Sequence, residues 1–262
     1  MLKKLLKYDL LNIYKFISIF YILTMIFAII TRILFSIKQT VFVSIIGQVS
    51  VGCLYSMMAS SIINTFMRNW VRLKESVYGD ESYLTHTLPV TKKEICQSKF
   101  LLTLINLITT FIVVIIGLFI AYYTKDKWQI FIEYIKSIAK PLNMSTFKFV
   151  ALIIIVTFVE VLNMIESGIF GIITGHRKNN HKILFSLAFG LITYFLSQII
   201  IVVVMLIIGL FDSNIMMMFT SNTMDVAFFE KAMIITIIIY IIINILIYIT
   251  SVKFLNKGVN VD

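Results

Sequence analysis

Six long apolar runs separated by short polar segments dominate this chain, at 16–37, 41–67, 100–123, 149–173, 183–211 and 232–252. Each supplies the roughly 20 apolar residues that a helix needs to cross a hydrocarbon core about 30 Å thick. Several exceed that length, which predicts tilt or extension beyond the membrane. The fourth run is interrupted by Glu160, Asn163 and Glu166. The ten-residue alternation of barrel strands is absent. The predicted fold class is an all-α integral membrane protein, a six-transmembrane-helix bundle forming a single transmembrane domain over 1–262.

Three connecting segments carry their own pattern. Over 1–15, Leu2, Leu5, Leu6 and Ile13 share one helical side and Lys3, Lys4, Lys7 and Lys15 gather opposite, with Leu11 out of place on the lysine side. This predicts an N-terminal amphipathic interfacial helix, apolar side in the inner leaflet and lysines toward anionic lipid. Over 124–147, Asp126 and Gln129 have capping-box spacing ahead of Trp128, Phe131, Ile132, Ile135, Ile138 and Ala139, and Pro141 ends the run. An extracellular amphipathic helix lying on the outer face follows. The third segment, 68–99, is a long cytoplasmic loop. Gly79 breaks the chain, Asp80 can cap the first amides, and 81–87 has room for about two helical turns before Pro89. Thr91 and Glu94 form a second capping box, starting the helix that becomes the third span. A short helix between two breakers, parallel to the membrane, has the form of a docking element.

Composition agrees with a bilayer as solvent. Of 262 residues 60% are hydrophobic and 14% charged, with mean hydropathy +0.97, where a soluble domain carries nearer a quarter charged residues. The net charge of +10 lies in clusters beside apolar runs, the distribution of the positive-inside rule and not of nucleic-acid binding. With the N-terminus inside, the inner segments hold Lys3, Lys4, Lys7, Lys15, Arg68, Arg72, Lys74, Lys92, Lys93, Lys99, Arg177, Lys178, Lys182, Lys253 and Lys257. The outer segments hold Lys38, Lys125, Lys127, Lys136, Lys140, Lys148 and Lys231. Fifteen against seven predicts both termini in the cytoplasm of a cell (plasma) membrane protein. The first apolar run is too long for a signal-peptide core and lacks a small-residue cleavage site, so it is expected to remain as a helix. Cys53 in an apolar run and Cys96 in the inner loop suggest neither a disulfide framework nor a metal site.

No catalytic constellation is present. HExxH, paired glutamates and GxxxxGK[ST] are absent, and His86, His176 and His181 all fall in inner loops, away from any membrane serine. The chain is expected to be a non-catalytic subunit without a cofactor of its own. Within the membrane, Glu160 and Glu166 stand about 120° apart on one helix, with Asn163 between them. A carboxylate facing lipid costs several kcal/mol, so this arc should face protein or water. It either lines a translocation path, with Gln198 on the following helix, or forms an interhelical hydrogen-bond cluster. Arg32 near the end of the first span reads as snorkelling or structural. Gly52, Ser56 and Ser60, and again Ser167, Gly171 and Gly175, have the small-xxx-small spacing of close helix contacts. The run Met216, Met217, Met218, Phe219 is too apolar for a solvated loop and is expected to dip into the outer leaflet or line a vestibule.

The stretch Tyr78-Gly79-Asp80-Glu81-Ser82-Tyr83-Leu84-Thr85-His86-Thr87-Leu88-Pro89-Val90, then Thr91-Lys92-Lys93, with Ser98-Lys99 leading into the third span, is similar to the "tLPvsr" segment of ABC-2-type permease subunits from Gram-positive bacteria. Six spans, an N-terminal amphipathic helix, a long first inner loop and a short second one resemble the same family. The resemblance implies a dimeric membrane part, homo- or heterodimeric, with two separate cytosolic ATPases that bind ATP and Mg. It implies a coupling helix in the first inner loop, made of Asp80, Glu81, Ser82, Tyr83, Leu84, Thr85 and His86. Arg177 and Lys178 in the second inner loop are a lesser candidate contact. Small permeases of this kind resemble exporters of antimicrobial and toxin peptides, such as phenol-soluble modulins. The other readings are a lipid or drug efflux permease, a non-transporting membrane scaffold or regulatory subunit, and a channel.

Overall fold

The computed structural model describes residues 1–38, 40–220 and 227–258, and every regular element among them is an α-helix. In chain order these are α1 (Leu2–Ser36), α2 (Val41–Val77), α3 (Ser82–Thr87), α4 (Lys92–Tyr122), α5 (Lys125–Ala139), α6 (Thr146–Gly175), α7 (Lys182–Gly209), α8 (Ser213–Thr220) and α9 (Ala227–Asn256). Six are long and apolar enough to cross a membrane: α1, α2, α4, α6, α7 and Phe229–Asn256 of α9. The chain is a multi-pass helical membrane protein. It forms two compact units, Met1–Trp128 and Gln129–Asp262, divided within α5.

Caps fix where the helices begin. Thr40 accepts from the Val43 amide, Ser145 from the Lys148 amide, and Thr91 with Glu94 closes the predicted capping box in both directions. Two other caps differ from expectation. Asp80 makes no capping bond, because Glu81 precedes α3 in a helical conformation and the chain enters it through a turn, Ser82 N to Gly79 O at 2.9 Å. α5 starts one residue before Asp126, which therefore sits in the first turn, where its charge suits the helix dipole.

In the first unit, α1 runs antiparallel to α2 and parallel to α4. Asp9, Thr24 and Thr31 meet Arg72, Ser61 and Ser50 of α2, while Asp9 and Tyr21 meet Lys99 and Thr110 of α4. The expected interfacial helix and first span are here one continuous helix of 35 residues. No glycine, proline or cap interrupts it, and its apolar side is not given to lipid. Ile13, Ile17 and Leu102 are buried together with Leu6, Leu10 and Tyr21 packed against them, while Lys3, Lys4, Lys7 and Lys15 remain exposed. Residues 68–77 and 92–99 also belong to α2 and α4, so the connection is 78–91 and not 68–99. Cys96 is accordingly a buried residue of α4. Arg32 donates to the carbonyls of Ile120 and Tyr123, meeting acceptors that the end of α4 leaves over.

In the second unit, α6 and α7 are antiparallel and nearly touch. A Cβ on Gly171 would lie 2.5 Å from the Gly190 amide and the Ser186 carbonyl, and one on Gly175 would overlap Ser186. α9 runs parallel to α6, with Phe149 against Phe229 and Phe170 against Phe254. Ile135 and Ala139 of α5 pack with Met144, Phe149 and Leu152, whereas Trp128, Phe131 and Ile138 of the predicted stripe stay exposed. The methionine-rich run is helical, α8, with Ile215 buried and Met216 against Gly209; the Met218 side chain lies outside the described set.

The two small-residue stripes part company here, since nothing lies within 4 Å of a Cβ built on Gly52. Only the α6 stripe serves a close helix contact. Gly171→Leu should cost at least the ~1–3 kcal/mol of ordinary overpacking, lowering Tm in detergent, while Gly52→Leu should be neutral or stabilising. Equal effects would contradict the assignment.

Candidate functional site

The strongest electrostatic feature of the first unit is a carboxylate that the leucine stripe of α1 hides. Asp9 falls at the middle of the side carrying Leu2, Leu5, Leu6 and Ile13, and it is 0% exposed. Arg72 donates from Nε to Asp9 Oδ1 at 2.7 Å, Lys99 donates from Nζ to Oδ2 at 2.7 Å, and Ser98 donates to Oδ2 at 3.3 Å. Arg72 Nη1 also pairs with Glu81 Oε2 at 2.7 Å. Two cations and two carboxylates form a neutral quartet joining α1, α2, α4 and the residue before α3. From it a polar seam climbs between the three helices. Asn69 accepts from Asn106 at 3.1 Å, Thr65 bonds Thr110 at 2.7 Å, Tyr21 bonds Thr110 at 2.6 Å, and Thr31 bonds Ser50 at 2.8 Å. Each such bond contributes about 0.6 kcal/mol on average within a membrane.

The quartet sits directly under α3 and sorts the residues expected to form a docking helix. Glu81 faces inward to Arg72, His86 Nε2 meets the Val77 carbonyl at 3.1 Å, and Ser82 and Thr85 are buried. These four hold the helix in place. Tyr83 and Leu84, 77% and 66% exposed, point away from the bundle with Asp80 and Leu88 beside them. The result is a six-residue helix clamped along one side and apolar on the other. Glu81 and His86 thus tie α3 to α2, with the Glu81 side chain still 44% exposed. Arg177 and Lys178, also exposed, extend over the rings of Phe254 (5.0 Å) and Phe185 (5.7 Å) in the second unit.

The four residues expected to line a path all lie in the second unit, and two of them, Asn163 and Gln198, are joined to α9. Eight residues back along α6 from Gly171 is Asn163, and eight onward along α7 from Gly190 is Gln198, so the glycine contact brings the two to one level. Asn163 donates to Asn244 of α9 at 2.8 Å, and Tyr240 of α9 donates to Gln198 at 3.0 Å. Glu166, one turn along α6 from Asn163, is 6% exposed. Glu160, half-buried, stands where its charge acts on Tyr194 and Tyr240. Asn163 and Gln198 are tied into interhelical bonds, whereas one oxygen of Glu166 has no partner among the described residues. Among the described residues no group of three His, Cys, Asp or Glu gathers to hold a metal ion.

In comparisons with known proteins, no family model, no curated protein and no solved structure matches the chain.

Asp9 is the buried charge that sequence reasoning missed, although a lone acid centred in an apolar stripe is a readable signal. Its substitution tests the quartet. Asp9→Asn leaves Arg72 and Lys99 without their common anion and should cost about 3–5 kcal/mol in denaturant unfolding. Asp9→Leu combined with Lys99→Met leaves the neutral Arg72–Glu81 pair and should recover most of that loss. A cost below about 1 kcal/mol for Asp9→Asn would mean that the quartet does not hold the unit together.

Proposed function

We propose that this chain is the membrane permease subunit of an ATP-driven exporter, with α3 as the helix on which a cytosolic ATPase docks. The observation that carries this reading is the two-sided construction of α3. An apolar Tyr83–Leu84 pair exposed beside charged Asp80 is costly to keep in water, and interfaces are built around such aromatic and aliphatic anchors with a polar rim. The inner side of the same helix is pinned by Arg72 and by the Val77 carbonyl. A force applied at Tyr83 is therefore delivered to α2 and not lost in a loose loop. The similarity of 78–93 to the corresponding segment of ABC-2-type permeases supports the same reading.

In this proposal both termini and α3 lie in the cytoplasm of a bacterial cell, and a second permease copy completes the export path. The cargo is an amphipathic, cationic peptide. Glu160 and Glu166 offer negative charge in a low-dielectric setting, where it attracts cations more strongly than in water. Met and Phe supply walls that adapt to varied apolar shapes. ATP is hydrolysed on the partner chain, and this chain contributes docking and path residues only.

Tyr83→Asp places a charge in the centre of the docking face. It should abolish co-purification with the ATPase and peptide resistance in cells, with insertion and Tm of the permease unchanged, while Tyr83→Phe retains both. An ATPase that binds and couples normally to Tyr83→Asp would remove α3 as the docking element.

A further inference from the structure

We infer that Glu166 of α6 is a proton-binding site, holding a proton as a neutral carboxylic acid. The geometry rests on what surrounds this carboxyl. Glu166 is nine-tenths buried and its Oε2 has no hydrogen-bond partner among the described residues. On α6, Asn163 Oδ1 one turn before it and Ser167 Oγ in the next residue are buried and likewise unpartnered, as are Asn244 Nδ2 on α9 and Gln198 Nε2 on α7 elsewhere in the unit. The Asn163–Asn244 bond leaves one oxygen and one amino group over whichever way the two amides are turned.

A charge at this place has to be balanced, and the apolar stretches of the unit's three spans carry no cation to balance it. The stretches 149–175, 183–209 and 232–252 contain no lysine or arginine, and His176 lies three turns away at the end of α6 against Ser186. Within those stretches the other titratable groups are Glu160 of α6, Tyr194 of α7, and Tyr240 and Tyr248 of α9, none of them a cation, while Lys148, Lys182, Lys231 and Lys253 stand at the helix ends. An ionised carboxylate buried without a partner costs far more than protonating it. The first unit shows the alternative solution, because its buried Asp9 has Arg72 and Lys99 within 2.7 Å.

A metal cation fits less well than a proton. Glu166 would be its one anionic ligand, since among the described residues no group of three His, Cys, Asp or Glu gathers there. A neutral acid needs no extra room. Its hydroxyl can donate to the spare Asn163 oxygen, one helical turn away, directly or through a water. Its carbonyl remains free to accept. Intramembrane acids of this kind serve as proton relays.

The test is infrared spectroscopy of the purified chain in lipid vesicles, without ATPase, nucleotide or peptide, so that its outcome is independent of the transport reading. At neutral pH the wild type should show the carbonyl band of a protonated carboxylic acid, and alkaline titration should remove it. Carboxyl-13C glutamate should shift that band, which assigns it to glutamate without any mutation. Glu166→Gln should abolish the band, and Glu166→Asp should move it out of the glutamate position. Absence of the band from the wild type at neutral pH, its persistence in Glu166→Gln, or its insensitivity to glutamate labelling would each overturn the proposal.

Discussion

Asp9 is a carboxylate fully buried between helices at the lysine-rich end of α1, and the first unit is arranged around it. Burying it requires cations, and they come from the two helices that flank α1: Arg72 near the end of α2 and Lys99 near the start of α4. Those pairings fix the rotation of all three helices, because a turn of any one of them would leave a charge unpaired at a cost of several kcal/mol. The seam of Asn, Thr, Ser and Tyr bonds above the quartet depends on the same rotation. Net stabilisation is not what such a quartet supplies, since apolar residues could pack as well. What it supplies is register, and register matters because Arg72 reaches past Asp9 to Glu81.

That reach joins the interior of the bundle to a surface element too short to be stable alone. Six residues give a helix barely two turns, below the length at which isolated helices persist in water. α3 exists because its inner side is held by an ion pair, a carbonyl contact and two buried hydroxyl side chains. Its outer side is thereby free to remain apolar. In the second unit the constraint is steric. Gly171 and Gly175 let α6 approach α7 to backbone contact, and this close approach sets which polar side chains share a level between α6, α7 and α9.

The spans were legible because hydropathy over twenty residues is a strong signal, and the Thr91–Glu94 box because its spacing has a single geometric meaning. Pairing was not legible. Arg72 and Lys99 were counted among lysines and arginines that face lipid head groups, since a sequence does not say whether a basic residue ends in water or on a buried acid. The stripe on 1–15 was assigned to lipid for a related reason: an apolar helix side is the same whether it meets acyl chains or Leu102. The two small-residue stripes have identical spacing, yet only the α6 stripe is opposed by glycine and serine. Asn163, Glu166 and Gln198 were found as polar interruptions of apolar runs. Asn244 and Tyr240, the partners of Asn163 and Gln198, follow only from the α6–α9 and α7–α9 packing.

The central claim is that charge buried in the first unit positions the exposed helix through Arg72. Amide hydrogen exchange of residues 82–87 in Glu81→Gln addresses it directly, because that substitution cuts the link to α3 and leaves Asp9, Arg72 and Lys99 intact. Exchange in α3 should rise severalfold while α1, α2 and α4 keep their protection. Unchanged protection of α3 would show that burial of Ser82 and Thr85 suffices to hold it and that the ion quartet ends at Arg72.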